Sequence, residues 1–287
     1  MVELAASDVL TKEVLQWQGL HLFHFTGSSC SQKLRIYAGL KNIDLTLHHI
    51  NLAKRENQTD WYMGINPRGL VPTLIDDGKV IIESNDIITY LEKKFPVPEL
   101  IPPDRADEVG DLLHFEDQLH LDLRAITARF FVPTGMLQRS DEQLQQYENA
   151  GSGQVNGKPD AHKAAELAFW QEMKNHNGIP DLRAQDAVSA FRDALNAHEE
   201  NLRGQRYLLG DTLSVLDIAW YIYANRLVSV GYPLTGLHPR VGAWFNGLRQ
   251  QKLFRDEVKP PLPVKVISAV TRLAHRARRS HIETFIS

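Results

Sequence analysis

The sequence predicts an α/β domain with a mixed sheet over its first 96 residues and an all-α domain over most of the rest. Three observations carry this prediction. From Leu20 to Leu52 a strand pattern, a helix pattern and a second strand pattern follow one another, and such a crossover joins two parallel strands. From Val71 to Ser84 two apolar runs flank Asp77-Gly78, which is a β-hairpin signature. Beyond the proline-rich stretch Pro96 to Asp104, apolar residues recur at helical spacing almost to the end.

The first strand is "LHLFHF" (Leu20 to Phe25), with Gly27 marking the turn after it. A helix follows from Ser31, where Leu34, Ile36, Tyr37 and Leu40 share one face and "KNID" closes it. "LTLHHINL" (Leu45 to Leu52) is the second strand, and "NQTDWYMGINP" (Asn57 to Pro67) reads as a short helix halted before its proline. After the hairpin, Ser84 opens a helix, Asn85 to Phe95, with Ile87, Ile88, Tyr90 and Leu91 on its apolar side. The order β-α-β-α-β-β-α is the thioredoxin-type arrangement.

"PVPELIPPD" breaks this pattern and acts as a linker. Helices are expected from Leu112 to Phe131, about His162 to His176, Leu182 to Leu202, Leu216 to Val230 and Val241 to Gln250. The expected division is residues 1–96, a linker at 97–104, a helical domain at 105–259 and a tail at 260–287. Residues 149–160, "NAGSGQVNGKPD", have little apolar content and read as a mobile insertion. The tail reads as a basic amphipathic helix, with Ile267, Val270, Leu273 and Ala274 on one side and Arg272, Arg276 and Arg279 on the other. Such a helix can lie on an anionic membrane. The preferred reading is a final helix packed on the protein's own body with a solvated basic face.

Composition excludes several classes of function. The chain has 287 residues, 43% of them hydrophobic, which is ample for a sizeable core. A net charge of −3 gives no electrostatic reason to bind nucleic acid. The single cysteine excludes an internal disulfide and a multi-thiolate zinc site, and no metal is expected. The amino terminus lacks the basic, then apolar, pattern of an export signal, so a cytoplasmic location is expected.

Three stretches could carry chemistry. "FTGSSCSQ" puts Ser28, Ser29 and Cys30 at a helix start, where free backbone N–H groups favour an anion. A thiolate there is either that of Cys30 or that of a bound thiol accepting a hydroxyl hydrogen bond. Plain helix capping by serine is the alternative. "GLVPTL" places Pro72 at a strand head, makes Val71–Pro72 a candidate cis bond, and turns the Val71 backbone outward as a short edge for a peptide-like ligand. "ESND" places Ser84 at another helix start suited to a carboxylate. In a thioredoxin-type unit these three lie along one edge, so one extended anionic peptide could touch all of them.

On these residues the chain resembles the cytosolic glutathione transferases, from Leu20 to about Val258. "SSCSQKLRIYAGLKNID" is similar to the zeta-class motif SSCxxxxRIAxxLKGI, with Gln32 in place of the zeta tryptophan. "NPRGLVPTLIDDGKVIIESNDIITYLEKKFP" is similar to the glutathione-binding segment of the same enzymes. "LFHFTGSSCSQKLRI" and "DWYMGINPRG" also resemble the bacterial β-etherase transferases and the ganglioside-induced differentiation-associated relatives. "LGDTLSVLDIAWY" resembles the family's folding motif, with Ser214 and Asp217 as a capping box.

The resemblance implies a cytoplasmic homodimer with glutathione as co-substrate. Ser28 would hold the glutathione sulfur, flanked by Ser29 and Cys30. Val71 would pair with its cysteinyl backbone, Pro72 being cis and Leu70 also belonging to the glutathione-binding set, and Glu83 and Ser84 would hold its γ-glutamyl end. Lys54 and Arg68 are candidates for the glycyl carboxylate. A small hydrophobic or aromatic electrophile would bind the helical domain near Phe115, His120, Arg124, Phe130 and Phe131. The rivals are a thiol transferase using Cys30 as nucleophile and a non-catalytic binding or membrane-associated protein.

Overall fold

The computed structural model describes residues 1–286. It forms two compact units, one of residues 1–98 and 139–174, the other of residues 99–138 and everything from Asn175 on. The chain begins with β1 (Val2–Glu3), β2 (Leu20–His24), α1 (Ser29–Leu40), β3 (Thr46–His49), α2 (Asp60–Met63), β4 (Thr73–Asp76), β5 (Lys79–Ile82) and α3 (Ser84–Lys94). The sheet order is β1-β5-β4-β2-β3, with β2 and β3 parallel and the other pairs antiparallel. Leu22 sits between Leu47 and Leu74 in register. Leu22, Leu34, Ile36, Leu74, Ile81, Ile87 and Leu91 are fully enclosed, so the apolar faces of sheet and helices meet as their periodicity requires. In the hairpin turn Asp77 and Gly78 both have positive φ, 47° and 80°. A side chain on Gly78 would meet the Leu15 carbonyl oxygen at 2.1 Å, so only glycine fits. Strand β1, two residues long, has no sequence pattern that would announce it.

The remaining elements are α4 (Ala106–Gln118), α5 (His120–Phe130), α6 (Asp141–Asn149), β6 (Gln154–Val155), β7 (Lys158–Pro159), α7 (Ala161–Asn175), α8 (Asp181–Asn201), α9 (Val215–Ser229), α10 (Leu234–Leu237), α11 (Pro239–Gln250), α12 (Lys252–Glu257) and α13 (Leu262–Ala277). The single helix expected from Leu112 to Phe131 is two helices. They divide at Leu119, whose N–H turns back to the carbonyls of Glu116 and Asp117. No glycine or proline marks that break. Helix α9 is the centre of the second unit, with Val215 to Ala224 all buried. At its start the expected capping box is present. Asp217 accepts from the Ser214 N–H and hydroxyl, each at 2.9 Å, and also from the Leu208 N–H and the Trp244 indole.

Two expectations are corrected. The segment around 149–160 contains a short hairpin, β6 and β7, and with α6 and α7 it clusters with the sheet unit rather than with the helical domain expected at 105–259. Polar pins hold it there. The Asn156 N–H donates to Asp8 and its side chain accepts from the Ala5 N–H, while the Tyr147 hydroxyl donates to the Arg68 carbonyl at 2.8 Å. Within the segment itself, the buried Lys163 ammonium ties α7 to the end of α6 by donating to the carbonyls of Glu148 and Ala150. The tail does form a helix against α5, but the face it buries is that of Ser268 and Thr271. Val270, Leu273 and Ala274 of its apolar side are exposed.

Candidate active site

Ser28 ends the turn after β2 and serves as the N-cap of α1. Its hydroxyl oxygen accepts from the Ser31 N–H at 3.3 Å and its proton points to the Val71 carbonyl at 3.4 Å. Both contacts are longer than ordinary hydrogen bonds of their kind, so the hydroxyl is only weakly engaged. Ser28, Ser29 and Cys30 are half-buried, so the start of α1 is open to a ligand. Capping and site are therefore the same residue: the cap bond aims the Ser28 hydroxyl at the cis-proline loop.

The loop Gly69 to Pro72 is held from below. The Tyr62 hydroxyl and the Asn66 amide both donate to the Leu70 carbonyl, at 2.6 and 3.0 Å, and the Asn57 amide donates to the Gly69 carbonyl at 2.7 Å. The Val71–Pro72 bond is cis. Among the described residues the Val71 N–H has no partner, because the β4 ladder starts at Thr73. Tyr62, Asn66 and Asn57 were not singled out from sequence. The signal available was the short helix pattern before "NPRG", which gave no reason to assign polar roles to its inward side chains.

The third point is the start of α3. Glu83 precedes it at φ 68°, a region that non-glycine residues enter only under constraint. Ser84 is buried, and its N–H and hydroxyl have no partner among the described residues. Hydrogen bonds tie the three points together. Lys33 of α1 donates to Asn85 of α3 at 2.7 Å, and Arg68, from the loop, donates to Glu83 at 2.5 Å. Arg68 also makes two 2.9 Å bonds to Asp160, which lies between β7 and α7. Burial opposes the charge on Arg68, but Asp160 and Glu83 outweigh it and raise its pKa. Both sides of its guanidinium are thus engaged at Glu83's end of the edge. Lys54 is exposed in the turn Leu52–Lys54.

In the second unit, His120 lies 3.3 Å from both the Tyr223 hydroxyl and the Arg124 guanidinium, which groups two of the residues assigned to the electrophile. Phe115 is exposed, with its ring 6.3 Å from that of Trp220. Phe130 is buried between the rings of His275 and Phe285, and Phe131 lies beneath Arg226, so these two are packing residues. No group of three or more His, Cys, Asp and Glu side chains among the described residues could hold a metal ion.

A thioredoxin-type sheet unit joined to a helical unit, with the cis-proline loop and two helix starts bonded together, defines a two-unit thioredoxin-fold protein. Two family models match it: the N-terminal domain of glutathione S-transferase over residues 22–99 and the C-terminal domain over 161–247, together more than half of the chain. The chain belongs to the glutathione S-transferase superfamily. It is 41% identical over 85 residues to a zeta-class glutathione S-transferase of Euphorbia esula, covering 30% of this chain and 38% of that one. It is likewise 41% identical over 85 residues to a maleylacetoacetate isomerase of Mus musculus, covering 29% and 39%. The chain thus matches less than half the length of these curated relatives. A crystal structure of a β-etherase from a Sphingobium species superposes with a TM-score of 0.70 at 25% identity, covering 84% of this chain and 98% of that one. Residues 100–160, which include α6 and Asp160, fall outside both family models.

Proposed function

We propose that the protein is a glutathione transferase that binds glutathione along the edge formed by Ser28, Val71 and Ser84 and presents its sulfur as a thiolate. The observation that carries this reading is the pair of unclaimed donors, the Val71 N–H and the Ser84 N–H with its hydroxyl, on a loop and a helix start that are bonded to each other through Arg68 and Glu83. The Val71 amide suits the cysteinyl carbonyl. The Ser84 donors, at a helix start, suit the γ-glutamyl carboxylate, and Glu83 suits its ammonium. Lys54 remains the candidate for the glycyl carboxylate, while Arg68 orients Glu83.

The thiol gives its proton to solvent and the thiolate accepts a hydrogen bond from the Ser28 hydroxyl, which turns away from the Val71 carbonyl. The sulfur then attacks an electrophilic carbon of a small hydrophobic or aromatic substrate, and as the C–S bond forms either a leaving group departs with its bonding pair or the π pair of a multiple bond shifts to the neighbouring atom. The relatives' printed activities support conjugation, ether cleavage or isomerisation as the outcome. A homodimer is the assembly the family implies. Bringing a thiol from a pKa of about 8.5 to neutrality takes one to two units, about 1.4 to 3 kcal/mol, which one hydroxyl bond and a helix terminus can supply.

Cys30, half-buried in the first turn of α1, supports the second reading, in which its thiolate attacks the glutathionyl sulfur of a glutathione mixed-disulfide substrate, so that a Cys30–glutathione disulfide forms as the substrate leaves as a thiolate. One experiment separates the two: glutathione calorimetry and thiol titration of the bound complex, followed by activity on aryl ethers, maleyl-type isomers and aryl halides. Ser28→Ala is expected to raise the bound thiol's pKa by about one to two units and slow turnover about tenfold to hundredfold, with Cys30→Ala near wild type. Activity abolished by Cys30→Ala and intact in Ser28→Ala would transfer the role to Cys30.

A further inference from the structure

Helix α13 faces the wrong way for a helix that only completes a core. Leu262, Val266, Val270 and Leu273 form one stripe along three turns and are 73%, 55%, 60% and 66% exposed. The face it buries is polar: Ser268 and Thr271 are 6% exposed, His275 packs edge-on against Phe130, and Arg272 donates to the Ser229 carbonyl at 3.1 Å. A single exposed leucine needs no explanation, but a continuous apolar stripe on one helix marks a surface that something covers.

Charge identifies what covers it. Lys259, Lys265, Arg272, Arg276, Arg278 and Arg279 are basic, and no Asp or Glu occurs from Val258 to Ile282, in a chain whose net charge is −3. By helical position Lys265 and Arg276 flank the stripe on one side, and Arg278 and Arg279 follow its end. Beside it, α13 and the turn Ile282–Phe285 frame an open cavity of about 410 Å³, lined by Arg272, Arg276, His275 and His281 and by one acid, Glu283, 3.9 Å from His281. Apolar side chains on a helix surface, flanked by Lys265 and Arg276 and followed by Arg278 and Arg279, suit a lipid surface that offers both hydrocarbon and phosphate. A second copy of this helix would instead bring two basic rows together.

We propose that α13 is a docking surface for an anionic bilayer, which the stripe enters to the depth of the headgroups while the basic residues meet the lipid phosphates. The attachment is peripheral, since no helix among the described residues is long and apolar enough to cross a membrane. It is independent of the glutathione site.

The test is co-sedimentation of the full chain with vesicles of phosphatidylcholine alone and of phosphatidylcholine mixed with phosphatidylserine. Binding is expected only to the mixed vesicles and should weaken with added salt. The double variants Val266→Asp/Val270→Asp and Lys265→Glu/Arg276→Glu, all at exposed positions, should each bind at least about tenfold more weakly, with thermal melting unchanged. No binding to the mixed vesicles would overturn the proposal, as would equal binding by the variants. A protein that ignores vesicles but elutes as an oligomer that Val266→Asp/Val270→Asp dissociates would make the occupant a second copy, and the proposal would fail.

Discussion

Glu83 enters α3 at φ 68°, a conformation that costs on the order of 1–3 kcal/mol in a non-glycine residue. It is held there by Arg68, which is held in turn by Asp160. Asp160 also accepts from the His162 and Lys163 N–H groups at the start of α7, so it is both ion partner and cap. Removing one member of a buried ion pair typically costs 3–5 kcal/mol, and Arg68 keeps Glu83, so Asp160→Ala should lose about 3 kcal/mol in urea denaturation and weaken glutathione binding. Asp160→Asn, which keeps the cap, should recover about 1 kcal/mol of that loss. Equal stability of both variants and wild type would mean that the pair contributes nothing. Two histidines set an acid limit. His24, buried and beside Arg35, and His198, half-buried with its ring against Trp220, both have pKa values lowered by desolvation from 6.5 to about 4. The folded state keeps them neutral while the unfolded chain protonates them. Stability is therefore expected to fall as pH drops from about 6.5 to 4 and to be flat above. Denaturation midpoints across that range, with His198→Phe showing a shallower fall, test this. Ser28, Val71 and Ser84 were legible because each sits at a junction with its own local signature. Arg68 was legible only as a charge, since its partner lies 92 positions away in a segment without pattern.

At the scale of elements, the hairpin and the parallel pair followed directly from alternation and the Asp77-Gly78 turn. The break at Leu119 did not, because tertiary packing rather than a breaker residue divides α4 from α5. The start of α9 was fully legible, and its energetics can be divided. Asp217 is fully buried and accepts four hydrogen bonds, although burial by itself raises its pKa. Asp217→Ala strands the Leu208, Ser214 and Trp244 donors and should cost at least about 3 kcal/mol, whereas Ser214→Ala removes one cap and should cost about 1 kcal/mol. Thermal melts of the two variants check the ratio. The amphipathic character of α13 was also legible. The side it turns inward was not, because a sequence shows that two faces differ and not which of them meets the body.

For the molecule as a whole, sequence order and compact units do not coincide. The proline-rich linker separates the sheet from the helices as the composition implied. The chain then returns to the sheet unit at residues 139–174, through Tyr147, Asn156 and Asp160. Asn156 and Asp160 are single polar side chains in the glycine- and asparagine-rich stretch 149–160, a composition otherwise typical of mobile loops, so nothing local in the sequence announces their role. Limited proteolysis checks the arrangement: the bonds around 149–160 should resist cleavage in wild type and become sensitive in Asp160→Ala.

The same stitching sets a timetable for synthesis. A growing chain emerges amino end first, and a domain closes only when its last segment is out. The sheet can pair once α3 has emerged, but Arg68 meets Asp160 only after some sixty further residues, α4 and α5 among them, have left the ribosome. Until then Glu83 lacks the buttress that Asp160 gives Arg68, so the edge proposed to bind glutathione reaches its final form only when more than half of the protein has been made.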